Sequence, residues 1–203
     1  MDPDVTRISL LSRVRNAADQ AAWVEFEARY RELILRYALA RGLQHADAED
    51  VRQIVMMSLS TALRGFRYSP ERGRFRHYLG RVVRNAVARL KARPNQGAAV
   101  LDSYVGETLE ADDGIDSDSV WEQEWVDHHY RLALHSLRET FDPRSIEVFE
   151  QLVSGGSVAE TAADFGMSQQ AVHKVKQRAR DRMRELVAAQ IRDEDEADEP
   201  RGG

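Results

Sequence analysis

The residues with the clearest potential chemistry lie between Ser168 and Leu186, where glutamine, histidine, lysine and arginine recur. Glutamine amides can pair with adenine and arginine with guanine, so this composition is suited to reading the edges of DNA bases. Six basic residues against two acidic ones in this segment would also attract phosphate. The chain has no cysteine, which excludes disulfides, thiolate zinc sites and thiol nucleophiles.

These polar residues fall on one predicted helix, and their positions separate into three groups. The base-reading positions of its first turns are Gln169, Gln170, His173, Lys174, Gln177 and Arg178. The predicted phosphate contacts are Lys176, Arg180, Arg182 and Arg184. The predicted buried seam is Val172, Val175, Ala179, Met183 and Leu186. The alternative interpretation is a helical hairpin with an arginine-rich face that meets only solvent.

A helix-turn-helix motif would place this helix against DNA. Ser157 and Glu160 form a capping-box pattern, which predicts the start of a short helix. Phe165-Gly166 predicts a left-handed turn at its end, and Ser168 is placed to cap the next helix. The spacing from Ala162 to Val172 puts a small residue where two helices cross and an apolar one where the second packs back.

A second basic segment runs from Arg64 to Arg93, with ten arginines or lysines against one acid. A helix is predicted from about residue 74 to 93, and five of its residues share a face that would follow a phosphate backbone: His77, Arg81, Arg84, Asn85 and Lys91. Tyr68 and Tyr78 lie in or beside the preceding loop, where rings can stack on unpaired bases. The alternative is that the rings of this segment are core, which is our expectation for Phe66 and Phe75.

The elements that position these residues are predicted to be helices, because apolar residues recur every three or four positions and no segment alternates with a period of two. Asp19 is predicted to cap a long helix that ends at Gly42, and Asp47 to start the next one. Asp142-Pro143 fits a cap followed by proline at the first helical position. The fold class is therefore predicted to be all-α.

Charge and composition divide the chain into four parts. We predict a helical domain over residues 1–94, a flexible acidic linker over 95–120, a helix-turn-helix domain over 121–190 and a disordered acidic tail over 191–203. Ten acids and no lysine or arginine lie between Asp102 and Asp127, and six acids lie between Asp193 and Glu199. One hypothesis is that the tail folds back on the basic recognition helix.

Several function classes are not expected. No apolar run approaches the roughly 20 residues that a membrane span needs, so we expect a soluble, cytoplasmic protein without a membrane partner. None of the six histidines is paired with another at the i, i+4 spacing of one helical face, so no metal site is expected. Glycine-rich phosphate loops and serine nucleophile motifs are missing too, so we expect neither an enzyme nor a cofactor.

The order of these segments resembles that of an extracytoplasmic-function (group IV) RNA polymerase sigma factor. Residues 47–53 are similar to the region 2 segment that docks on core RNA polymerase. Residues 66–86 resemble the segment that melts the promoter −10 element, and residues 166–184 resemble region 4, which binds the −35 element. The fold that this implies is a region 2-like bundle and a region 4-like helix-turn-helix domain joined by a linker.

The resemblance implies a function in transcription initiation, with core RNA polymerase and promoter DNA as partners and an anti-sigma factor as a further one. It assigns polymerase binding to Asp47, Asp50 and Gln53. The chain departs from the family pattern along the docking helix. Family members commonly have an acid after the glutamine and aromatic residues further along, whereas this chain has Ile54, Met56 and Ser60. His77-Tyr78 stands where alanine-tryptophan is common.

Two other functions fit the same residues. A stand-alone helix-turn-helix regulator would bind DNA without polymerase, and core binding by residues 19–93 discriminates it from a sigma factor. A protein that interacts only with other proteins would show no steeply salt-dependent binding to duplex DNA.

Overall fold

The computed structural model describes residues 10–16, 18–63, 75–92 and 118–195. These residues form eight α-helices, so the prediction of an all-α fold is confirmed. The chain divides into unit 1, residues 1–126 and 193–203, and unit 2, residues 127–192. None of the helices in the described ranges is long and apolar enough to cross a membrane.

The first four helices of unit 1 are α1 (Leu10–Val14), α2 (Gln20–Ala40), α3 (His45–Ala62) and α4 (Phe75–Lys91). The carboxylate of Asp19 accepts a 2.9 Å hydrogen bond from the amide of Ala22, which confirms the predicted cap of α2. After α2, Gly42 adopts a φ of +83°, which glycine tolerates better than other residues.

Asp47 does not start α3, contrary to prediction. The helix begins two residues earlier at His45, and its N-cap, Gln44, makes no side-chain cap bond. Asp47 instead lies in the first turn, where a carboxylate is stabilised by the positive end of the helix dipole. An acid near a helix start can therefore lie at the cap or inside the first turn, and Asp47 lies inside the first turn.

The core of unit 1 is aromatic at its centre. One face of α2 is buried at Phe26, Tyr30, Leu33, Ile34 and Tyr37, and Trp23 packs against the same core from a half-buried position. The ring of Phe75, at the start of α4, is 6.1 Å from that of Phe26 and 5.6 Å from that of Tyr30. Helices α2 and α4 therefore share one apolar core, which fixes the face that α4 turns to solvent.

Helix α5 (Ser119–Thr140) begins in unit 1 rather than at the start of a separate domain. Trp121 and Trp125 are buried in the same core as α2 and α4, so the boundary between the units lies after Val126 and not at residue 121. These two tryptophan side chains bury a large apolar surface in the core of unit 1.

The last residues of the predicted linker are also ordered. Asp118 caps α5, because its carboxylate accepts hydrogen bonds from the amides of Val120 and Trp121 at 3.0 and 3.2 Å. The same carboxylate accepts a hydrogen bond from the Tyr37 hydroxyl and pairs with Arg41 at 2.9 Å. Residues 93–117 lie outside the described residues.

Unit 2 contains the rest of α5, α6 (Pro143–Val153), α7 (Val158–Asp164) and most of α8 (Gln169–Asp195). Asp142 caps α6, with Pro143 in its first turn, as predicted. Two apolar clusters hold the unit together. One contains Ala133, Leu137, Ile146, Phe149, Ala179 and Met183, and the other contains Val148, Ala162, Val172 and Val175.

The C-terminal tail is not disordered throughout, because α8 continues to Asp195. Asp193 and Glu194 belong to unit 1 and contact α2, and Glu194 is buried there. The hypothesis that the acidic tail lies on the recognition helix is therefore wrong for these two residues, while residues 196–203 lie outside the described ranges.

Candidate nucleic-acid interface

Helices α7 and α8, joined by a short turn, cover the segment predicted as a helix-turn-helix. The Ser157 hydroxyl accepts a 3.1 Å hydrogen bond from the Glu160 amide, and the Glu160 carboxylate accepts one of 3.0 Å from the Ser157 amide. The capping box is therefore confirmed. Hydrogen bonding of the Glu160 carboxylate to the side chain of Ser157, and to a smaller extent to its backbone amide, lowers the pKa of Glu160 below its ordinary value.

A backbone hydrogen bond and a second serine cap hold the turn between the two helices. Gly166 adopts a φ of +58°, and the Met167 amide donates a 2.8 Å hydrogen bond to the Ala162 carbonyl. The hydroxyl of Ser168 then accepts a 3.2 Å hydrogen bond from the amide of Ala171, in the first turn of α8. The entry of α8 is therefore fixed by local contacts.

The buried seam of α8 orients its polar residues. Val172, Val175, Ala179 and Met183 are buried as predicted, and Leu186 packs against the core from a half-buried position. The opposite face of the first turns carries four exposed polar residues: Gln169, Gln170, His173 and Lys174. No hydrogen bond or ion pair joins these four side chains to other described residues, so they are available to a ligand.

Three other residues of α8 that were predicted to contact DNA make side-chain contacts within unit 2. The Gln177 amide donates to Asp181 at 2.9 and 3.1 Å, and the guanidinium of Arg178 lies 5.5 Å from the centre of the Phe141 ring. Arg182 pairs with Glu185 at 3.0 Å. Gln177 and Arg178 nevertheless remain exposed, whereas Arg182 is half-buried.

Lys176 lies apart from the base-reading face and lines an apolar groove of unit 2 with a volume of about 630 Å³. Two more of the predicted phosphate-binding residues, Arg180 and Arg184, line the same groove. Its apolar lining comes from α5, α6 and α8 and consists of Tyr130, Phe149, Leu152, Val153, Met183, Val187, Ala188 and Ile191. The sequence does not predict this groove, because its residues come from three separate helices and only Val153, Tyr130 and Ile191 stand out as exposed apolar residues.

Helix α4 presents the second basic face. Its inward residues Phe75, Leu79, Val82 and Ala86 are buried. The opposite side carries His77, which is exposed, and Arg81, Arg84 and Asn85, which are half-buried. Positions 77, 81 and 84 repeat at the i, i+4, i+7 spacing of one helical face, so the structure brings these residues together.

The two tyrosines predicted to stack on bases have different outcomes. Tyr78 is half-buried and packs against the core of unit 1, and this burial raises the pKa of its hydroxyl. Tyr68 lies outside the described residues, as does Phe66. Phe75 belongs to the core, as expected.

The candidate docking face lies on α3. Asp50 and Gln53 are exposed and Asp47 is half-buried. Met57 is 44% exposed and continues the same face, because positions 50, 53 and 57 follow the i, i+3, i+7 spacing. Met57 is not among the residues predicted to bind polymerase, although its spacing from Asp50 and Gln53 was a signal available in the sequence.

Ion pairs between α2 and α3 brace this face. Glu49 accepts a 2.7 Å hydrogen bond from Arg31 and one of 2.6 Å from Arg52, which also pairs with Glu27. The hydrogen bond from Arg52, with that from Arg31, lowers the pKa of Glu49 from 4.5 to about 2. The exposed docking residues therefore stand beside a fixed charge network.

Two of the six histidines are neighbours in the sequence and lie in α5. His128 and His129 are buried in unit 2, and the Nδ1 atom of His129 lies 2.8 Å from the side-chain amide of Gln190. Within the described ranges, no three histidine, aspartate or glutamate side chains converge to form a metal site.

Comparison with protein families matches residues 28–96 to "Sigma-70 region 2". This segment is similar to sigma-70 region 2. It includes most of α2 and the whole of α3 and α4, and therefore both the docking face and the basic face of unit 1. No curated protein matches the chain. Among solved structures, the chain is similar to that titled "Structure of CnrH in complex with the cytosolic domain of CnrY", with 22% identity, a TM-score of 0.35, and coverage of 89% of this chain and 96% of that one.

Proposed function

We propose that this protein is a sigma factor of the extracytoplasmic-function type, which binds core RNA polymerase and directs it to promoters. One observation carries the proposal: a segment similar to sigma-70 region 2 and a capped helix-turn-helix occur in the same chain. Either alone would fit other DNA-binding proteins. In this function the protein positions DNA for polymerase and is not itself an enzyme.

Unit 2 would bind the −35 element through the first turns of α8. Gln169, Gln170 and His173 are exposed where a recognition helix meets base edges, and Lys174 adds a positive charge beside them. Glutamine can form two hydrogen bonds to adenine in the major groove, while lysine bonds to guanine or to phosphate. Gln177, Arg178 and Arg182 would join the interface if DNA displaced their contacts within unit 2.

Unit 1 would act at the −10 element. The face of α4 with His77, Arg81, Arg84 and Asn85 would follow the phosphate backbone. Tyr68 would stack on bases that leave the duplex, and Tyr78 would support the edge of that site from its half-buried position. Melting would then be base capture, because binding of unstacked bases offsets the free energy of lost pairing.

Core polymerase would bind the face of α3 that contains Asp47, Asp50 and Gln53. Exposure of Asp50 and Gln53, and of Met57 in the same register, supports this assignment. The family resemblance also implies an anti-sigma factor as an inhibitory partner. A sigma factor acts where core polymerase is, so the proposed location is the cytoplasm.

Run-off transcription with purified core polymerase on a library of promoter fragments tests the proposal. We expect the chain to comigrate with core polymerase and to direct discrete transcripts from a subset of fragments. Salt-dependent binding to duplex DNA without any binding to core polymerase would instead establish the stand-alone regulator.

A further inference from the structure

The apolar groove of unit 2 has the size and lining of a small-ligand site. Among its lining residues, Phe149 and Met183 are buried, whereas Tyr130, Val153 and Ile191 are 38%, 55% and 39% exposed. Its volume of about 630 Å³ lies within the roughly 300–1,000 Å³ that is usual for ligand pockets. Every lining residue belongs to unit 2, so the groove is complete within that unit.

Helix α8 supplies both a cationic and an apolar part of the groove. The cations recur every four residues and form one row along the helix: Lys176, Arg180 and Arg184. Apolar lining residues repeat with the same spacing nearer the C-terminus: Met183, Val187 and Ile191. The centres of the two rows are about 10 Å apart along the helix axis. The groove is therefore polarised, with a cationic end and an apolar end.

The cationic end is positioned to receive an anion. Lys176 is half-buried and Arg180 is exposed, and within the described ranges no carboxylate pairs with either of them. Arg184 lies 3.6 Å from the carboxylate of Asp181, an exposed pair of the kind that contributes little stability. The lining residues include no aspartate or glutamate. The electrostatic potential at this end is therefore positive and attracts an anionic group.

We propose that the groove is a binding site for a single-chain amphiphile with an anionic head group, of which a long-chain fatty acid is the simplest example. The head group pairs with Lys176 and Arg180, and the hydrocarbon chain lies along the apolar row that ends at Ile191. Binding there requires neither polymerase nor DNA, so the site stands apart from the proposed function.

The shape of the groove favours a single-chain amphiphile over two larger occupants. An α-helix with its side chains is about 10–12 Å wide, so it would rest on a groove of this volume rather than fill it. A membrane surface receives apolar side chains that protrude into it, whereas these residues line a concavity. A hydrocarbon chain is narrow enough to enter the groove, and its burial there supplies the free energy of binding.

Isothermal titration calorimetry of the full-length chain with dodecanoate, at concentrations below micelle formation, tests the site. We expect saturable binding of a single dodecanoate per chain. Decanoate should bind about fifteenfold more weakly, because each buried methylene group strengthens binding about fourfold. Dodecyltrimethylammonium has the same tail with a cationic head group, and it should bind at least about tenfold more weakly than dodecanoate.

Two variants with matched controls locate the bound chain. Arg180→Gln removes a cation of the groove and should weaken dodecanoate binding about tenfold. Arg192→Gln removes an exposed cation of the same helix that does not line the groove, and it should leave the affinity unchanged. Val153→Glu places a carboxylate at an exposed position of the lining and should abolish binding. Val24→Glu makes the same change at a 70% exposed position of α2 and should have no effect.

Three results would overturn the proposal. The first is the absence of saturable dodecanoate binding, and if anionic vesicles or an acidic amphipathic peptide bind instead, the occupant is a membrane or a protein helix. The second is equal binding of dodecyltrimethylammonium, which indicates adsorption of a surfactant only. The third is an unchanged affinity of both Arg180→Gln and Val153→Glu, which places the bound chain outside the groove. Circular dichroism of each variant confirms that the helices are intact.

Discussion

The backbone of Gly80 lies directly against the indole ring of Trp121: a Cβ atom at position 80 would be 2.6 Å from Trp121 Nε1. Gly80 is in the middle of α4 and Trp121 is at the start of α5. The missing side chain therefore makes room for the ring that joins α5 to the core of unit 1.

Gly80→Ala should destabilise unit 1, even though alanine is the better helix former. We expect a loss of about 1–3 kcal/mol in the free energy of unfolding, because the added methyl group overpacks the Trp121 site. Urea denaturation followed by tryptophan fluorescence measures it. Ala88→Gly, at an exposed position of the same helix, reports the propensity effect alone, and a more stable Gly80→Ala protein would contradict the packing described above.

Acid should weaken the charge network around Glu49. The folded protein lowers the pKa of Glu49 from 4.5 to about 2, so the ionised group stabilises the fold above pH 4.5. That contribution is lost as the pH falls from 4.5 through 2, where the carboxylate becomes protonated in the folded state too. Urea denaturation of the wild type and of Glu49→Gln should show a stability difference that shrinks over this range. A difference independent of pH would show that Glu49 acts by packing alone.

Substitutions at the start of α8 should separate base reading from phosphate binding. Gln170→Ala should reduce discrimination at one base pair by about 1–3 kcal/mol. Lys174→Ala should weaken binding to all sequences and lower the salt slope by about 1 if the lysine contacts phosphate. Fluorescence anisotropy with variant duplexes measures both effects. The control Arg138→Gln removes a cation from α5 and should leave the discrimination between base pairs unchanged. If Lys174→Ala and Arg138→Gln weaken DNA binding equally, the effect of Lys174 comes from net charge alone.

Charge reversal on α3 should impair polymerase docking. Asp50→Lys places a cation at the centre of the proposed face, and we expect core binding to be at least about tenfold weaker, which corresponds to about 1.4 kcal/mol or more. Competition with a labelled sigma factor for core polymerase measures the affinity. Glu139→Lys makes the same charge change on the exposed end of α5. Equal affinities of the two variants would move the docking surface away from Asp50.

Local signals in the sequence account for much of the fold. The caps at Asp19, Asp142 and Ser157 were predicted because each depends on residues within three positions of the helix start. The buried seam of α8 was predicted from its spacing for the same reason. Asp47 was misplaced because an acid in the first turn and an acid at the cap produce similar patterns.

Features that depend on distant partners could not be predicted. Trp121 and Trp125 fit the start of a second domain equally well, and only the packing of Trp121 on Tyr37 and of Trp125 on Tyr30 assigns them to unit 1. The candidate site residues were predicted only as faces of single helices. The groove beside Lys176 and the burial of Glu194 were missed, because each requires residues from helices far apart in the chain.

The contact of Tyr30 with Glu194 also bears on how the protein reaches its native state. A ribosome delivers Tyr30 164 positions before Glu194, so the nascent N-terminal helices must wait for the end of α8 before this part of the core closes. Contacts of such long sequence separation pay a large loop-closure entropy and slow folding. Unit 2, whose contacts span only residues 127–192, contains no contact of such long sequence separation.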